Sequence, residues 1–273
     1  MKSTKLIYII IFCAIAFTTK SCMADINLAT KTIKGNGTLT TKEISIDDYD
    51  RIEVAGSVEL NYQQLEQQPY LQVTIDENLL EYVDIYVKNR ILHIQPAKNE
   101  SRMNTYNINP TKFTINTNSK QIRSINLAGS GNINLLSDIH TDILEFDLAG
   151  SGKVFSEKTI NVGTLDIDLA GSGNVSLQGK AQTCNIDLAG SGTVFLKGNA
   201  EICKIDIAGS GKILSSNLSV KHLRCDVAGS GKVEIDVIES IRCDIAGSGT
   251  ITYTGNPSSI KKDIAGSGKL IKK

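Results

Sequence analysis

The sequence predicts an all-β solenoid, a single-stranded parallel β-helix with rungs of about 18–21 residues, and three observations carry that prediction. The tetrapeptide A-G-S-G recurs eight times, starting at Ala128, Ala149, Ala170, Ala189, Ala208, Ala228, Ala246 and Ala265, at intervals of 21, 21, 19, 19, 20, 18 and 19 residues. A glycine-bearing turn at a nearly constant period of about twenty marks stacked repeats. Residues before each turn alternate apolar and polar, as in Leu165-Asp166-Ile167-Asp168-Leu169, the period-two sign of a half-buried strand. No span between copies is long or periodic enough for a crossover helix, which excludes βαβ units.

Each repeat reads as one circuit. Leu165, Ile167 and Leu169 point inward, Asp166 and Asp168 outward, and Gly171-Ser172-Gly173 turns a corner. Glycine reaches backbone angles closed to other residues. The leading glycines of the eight corners are Gly129, Gly150, Gly171, Gly190, Gly209, Gly229, Gly247 and Gly266. Val175 and Leu177 open a second inward-facing strand, and a third short one, such as Ile160-Asn161-Val162, brings the chain back. Rungs then stack at about 4.8 Å. One rung cannot bury its inner face alone, so the eight of residues 126–273 share a core of Ile, Leu and Val. Lys269, Lys272 and Lys273 discourage end-to-end pairing of the open strands.

Residues 1–24 read as a signal peptide, with Lys2 and Lys5 before the apolar run Leu6–Phe17, which is too short to span a bilayer. Two processing sites stay open: lipidation at Cys22, and cleavage before Asp25 after the small residues of Cys22-Met23-Ala24. Residues 25–125 form a less regular β region that caps the helix or adds irregular rungs. Tyr49–Leu60 alternates and contains a degenerate A-G-S copy, with Val58 in place of the last glycine. Leu71–Ile75 is a strand, Asp76–Tyr82 a helical turn, Asp84–Lys88 and Ile91–Gln95 a hairpin about Asn89-Arg90, and Phe113–Asn116 a strand. Residues 97–107 read as a loop.

Composition narrows the function. Lys+Arg and Asp+Glu both total 29, a balance that argues against nucleic acid and gives no general attraction to anionic lipid. Aromatics are 5% with no Trp, which disfavours a dedicated sugar-stacking platform.

The segments Y-D-R-I-E-V-A-G-S-V-E-L and D-E-N-L-L-E-Y-V-D-I-Y-V-K-N-R-I-L-H-I, then the iterated D-L/I/V-A-G-S-G, resemble the head GIN domain family of auto-transporter adhesins. Its members are exported proteins common among Bacteroidetes, of unknown biochemical activity. The resemblance covers residues 35–271. It implies a right-handed β-helix and a cell-surface or periplasmic setting, and it brings no catalytic residues. Autotransporters also end in a membrane β-barrel, for which this sequence shows no segment.

Three residue sets invite chemistry. Asp147, Asp168, Asp187, Asp206, Asp226, Asp244 and Asp263 hold the same place in successive rungs, where stacked carboxylates repel. Hydrogen bonds from the turn, interleaved charge from Lys204, Arg224, Arg242 and Lys261 and from Lys153, Lys212, Lys232 and Lys269 after the corner, or a bound cation would offset that repulsion. The Gly-Ser-Gly turns match neither the phosphate-binding G-x-x-x-x-G-K-S/T nor the esterase G-x-S-x-G pattern, so they are repeated corners. Cys184 and Cys203, and likewise Cys225 and Cys243, occupy matching inward places in consecutive rungs. Each pair is either two buried thiols or a disulfide. His93, His140 and His222 are scattered and form no metal spacing.

Cleavage of polysaccharide needs an irregular acid/base cluster walled by loops, which short regular rungs do not supply. The sequence therefore reads as a non-catalytic exported protein without cofactor. It is an adhesin or binding scaffold for a macromolecule or glycan of the cell envelope, in the periplasm, at the outer membrane or on the cell surface. The alternatives are a periplasmic or outer-membrane scaffold for a protein partner, and a polysaccharide-active enzyme.

Overall fold

Like side chains lie over like throughout the repeats. Strand Asn174–Gly190 pairs in parallel with Thr193–Gly209, setting Val175 against Val194, Leu177 against Leu196, Cys184 against Cys203 and Ile186 against Ile205. The columns through Val175, Cys184 and Ile186 continue into the adjacent rungs with every inward member buried, while the register shifts between Phe155 and Thr159, Val194 and Lys197, and Ser215 and Ser219. The described residues of this computed structural model are 32–99 and 104–273, so the predicted signal peptide and Cys22 lie outside them. No helix among the described residues is long and apolar enough to cross a membrane.

The corner is held by backbone rather than by side chains. Ser191 N–H donates to Gly171 O at 2.8 Å and Ser210 N–H to Gly190 O at 2.9 Å, and the pattern repeats along the stack. The leading glycine has φ between +115° and +136° in the eight repeats. A side chain would be strained there, and a Cβ on Gly190 would stand 2.5 Å from Gly171 O.

The regular stack reaches into the N-terminal region. Strand Arg51–Gly56 pairs in parallel with Ser124–Gly129, setting Ala55 beside Ala128 and Gly56 beside Gly129, so the degenerate A-G-S copy is a working corner. Across it, Glu59–Gln64 pairs with Asn132–Leu135 on one edge and with Phe113–Ser119 on the other. Segment 65–123 is thus interposed between two corners that touch.

Antiparallel strands close this end. Leu71–Asp76 pairs with Phe113–Ser119 and with Leu39–Ile44. Val83–Lys88 and Ile91–Pro96 form the expected hairpin, with Asn89 (φ 53°) and Arg90 (φ 61°) at its tip, and Glu77–Tyr82 is a 3₁₀ turn. Asp76 is fully buried and accepts hydrogen bonds from Gly37 N, Thr111 N and Thr111 Oγ1, tying two loops to the end of a strand. Burial alone would push its carboxyl up, but these donors hold it below the usual range. Tyr49 and Tyr62 fill the core beneath, their hydroxyls bonded to Thr117 Oγ1 (2.7 Å) and Ser119 Oγ (2.8 Å), and burial pushes both phenols up.

Candidate functional site

Register converts the alternating sequence into outward columns, and these are the surfaces on which function can be built. On one side of the coil stands the predicted aspartate column, from Asp147 to Asp263 without a break. Beyond Asp147 it continues through Asn126 and Glu53 to His93, whose Nδ1 lies 3.1 Å from Glu53 and whose ring stacks on Tyr86.

The neighbouring column, two residues earlier in each rung, divides the face in two. Toward the C terminus it reads Lys204, Arg224, Arg242 and Lys261, and Arg224 grips Asp226 at 2.9 Å while Arg242 approaches Asp244 at 3.9 Å. Toward the N terminus the same column carries Glu145, Asp166 and Asn185, so interleaved cations stop there. Asn185 donates to Asp166 at 2.6 Å. The turn amides, one of the offsets expected for the aspartates, are bonded instead to glycine carbonyls of the adjacent rung.

Carboxyl oxygens of Glu145, Asp147 and Asp168 lie within 4.8 Å of one another, an arrangement that accommodates either a cation or a shared proton. Partial burial, then the charges of Asp187 and Asp147, push Asp168 up to about 7. Burial also raises Asp147, which is hydrogen-bonded to Asp168. Two carboxyls so bonded share one proton. Asp206 is pushed up to about 6, again first by burial and then by Asp187 and Asp226.

The side after the corner carries a different pair of columns. The first runs Glu59, Asn132, Lys153, Asn174, Thr193, Lys212, Lys232, Thr250 and Lys269. The second begins as an amide ladder. Asn134 donates to Asn61 at 2.8 Å, Asn61 to Asn116 at 2.9 Å and Asn116 to Gln72 at 3.2 Å. It then changes character at Phe155, Ser176 and Phe195, and both phenylalanines stand in solvent at 45% and 40% exposure. Neither the ladder nor the phenylalanine pair stood out from sequence. The signal for the latter was an aromatic residue at a position whose parity calls for a polar one.

At the N-terminal end a cleft of about 510 Å³ opens over the first corner, between Gly56-Ser57-Val58 and the segment from Tyr106 to Thr114. Cys184, Cys203, Cys225 and Cys243 are buried free thiols, paired across rungs as the sequence placed them. Contact with Cys203 and burial raise the Cys184 thiol, and burial raises Cys225 and Cys243, so these three are not primed as nucleophiles.

A family model described as "Putative auto-transporter adhesin, head GIN domain" matches residues 48–194 and again residues 140–257. The chain belongs to the head GIN domain family. Crystal structures of related proteins share the fold of this head GIN domain protein over nearly its whole described length. One is a "putative adhesin" from Parabacteroides merdae, 30% identical, with a TM-score of 0.83 over 89% of this chain and 99% of that one. Another, described as a "putative lipid binding protein" from Parabacteroides distasonis, is 33% identical, with a TM-score of 0.78 over 89% and 100%. A second Parabacteroides distasonis protein, a "putative adhesin", is 31% identical with a TM-score of 0.81 over the same shares. None of the curated proteins matches the chain.

Proposed function

We propose that this head GIN domain protein is an exported, non-catalytic component of the cell envelope whose stiff solenoid presents a flat face to another macromolecule or glycan. The observation that carries this reading is the register at the corner, unbroken from Gly56 to Gly266, which lays the outward side chains of the strand before it in straight columns. Such a surface suits an extended partner. The family description and the two adhesin-like relatives support the same reading.

Protease treatment of intact cells tests it. An adhesin is cleaved and its deletion abolishes attachment, whereas a periplasmic scaffold for a protein partner is protected until the outer membrane is opened. Anchoring through Cys22 predicts incorporation of labelled palmitate that Cys22→Ser removes. The relative described as lipid-binding supports a second reading, in which the partner is lipid.

A further inference from the structure

We propose that the lysine-bearing side of the solenoid docks on the surface of an anionic bilayer, its lysines meeting lipid phosphates and Phe155 and Phe195 entering the headgroup layer. This rests on the reading of the solenoid as a binding surface and names the partner of one of its sides.

Four lysines share a single column, Lys153, Lys212, Lys232 and Lys269, and its one carboxylate, Glu59, stands at the far N-terminal end. Lys153, Lys212 and Lys269 are exposed and make no ion pair among the described residues, while Lys232 is held by Glu234 at 2.5 Å. The adjoining column supplies the phenylalanines. Phe155 and Phe195 stand two rungs apart with Ser176 between them, roughly 9.6 Å along one flat sheet. Their inward neighbours Val154 and Val194 are fully buried and complete the core, so the rings contribute nothing to it.

Formal neutrality conceals this arrangement. Glu145, Asp147, Asp166 and Asp168 are gathered on the other side of the corner, where cations enter the neighbouring column only from Lys204 onward, so acidic charge concentrates at one part of that side even though the totals balance. Near a negative surface the field turns the lysine side inward and the acidic side away. A soluble polyanion would use the lysines and leave the rings in water. Aromatic rings set beside a lysine column are what an interfacial bilayer site uses.

Co-sedimentation tests the assignment. The purified chain is mixed with vesicles of phosphatidylglycerol and phosphatidylcholine, and in parallel with phosphatidylcholine alone. The chain is expected to sediment with the anionic vesicles only, and less so as salt rises. The pair Lys153→Glu and Lys212→Glu is expected to lower partitioning roughly tenfold or more. Phe155→Ser with Phe195→Ser is expected to lower it about tenfold through lost ring insertion. Both pairs should keep the wild-type melting temperature, because all four side chains point outward.

The salt series on the unaltered chain needs no variant and guards against misfolding. Failure to sediment with anionic vesicles overturns the proposal, as does equal binding to neutral ones. Undiminished binding by the phenylalanine variant also overturns it, since charge alone would then hold the chain to the vesicle. Attachment of cells without vesicle binding sinks this inference and leaves the broader reading standing; loss of both sinks both.

Discussion

Replacing Gly190 by Ala probes the claim on which the architecture rests, that rung lies directly on rung. The new Cβ would stand 2.5 Å from Gly171 O, the carbonyl that also accepts the Ser191 N–H at 2.8 Å. Relief requires the rungs to part there, which weakens that hydrogen bond at a cost of about 1 kcal/mol. The residue must also hold φ near +126°, a conformation costing a non-glycine about 1–3 kcal/mol. With the overlap added, the loss is roughly 3–4 kcal/mol, against about 5–15 kcal/mol for an ordinary domain. Gly190→Val should cost more.

Gly56→Ala separates the two contributions, since Gly56 has φ +110° but nothing within 4 Å of an added Cβ. Strain alone predicts about 1–2 kcal/mol there. Urea unfolding followed by circular dichroism reads both variants. Equal losses at the two sites, or an unchanged midpoint for Gly190→Ala, would refute the stacking argument.

Other consequences are open to measurement. Asn61→Ala removes the middle of the amide ladder and strands Asn134 and Asn116, so it should cost about 1–2 kcal/mol by urea unfolding. The raised carboxyls give stability that is fully present below the ordinary aspartate value of 3.8 and is lost as pH rises through about 6 for Asp206 and about 7 for Asp168. After discounting for their partial exposure, melting between pH 4 and 7 should show a loss of about 1–2 kcal/mol that Asp168→Asn reduces and Asp168→Asn with Asp206→Asn reduces further. Asp76 acts in the opposite sense, its contribution disappearing as pH falls below the ordinary carboxylate range. Iodoacetamide should label Cys184, Cys203, Cys225 and Cys243 only after denaturation and without any reductant; protection that persists in denaturant would mean disulfides.

The solenoid was legible because its requirements are local. Each corner needs its glycine and each strand its alternation, and both recur often enough to exclude chance. The helical turn at 77–82 and the hairpin at Asn89-Arg90 were legible for the same reason. What escaped depends on register between distant segments. Gln72, Asn116, Asn61 and Asn134 come from four separate stretches and become a ladder only when stacked. Interleaved charge held for Arg224 and Asp226 but not at Glu145 and Asp166, where the column turns acidic. Composition totals sum over faces, so they could not show the lysines on one side of a corner and these carboxylates on the other.

The contact between Ala55 and Ala128 has a bearing on how the chain assembles. Successive repeats meet after about twenty residues, but this junction must close a loop of 73, an extra entropic cost of about 1 kcal/mol. Zippering should therefore start among the repeats and travel toward the amino terminus, against the direction of synthesis. The first corner to emerge is then the last to find its seat, and until it does the growing stack keeps an unpaired edge at Ser124–Gly129.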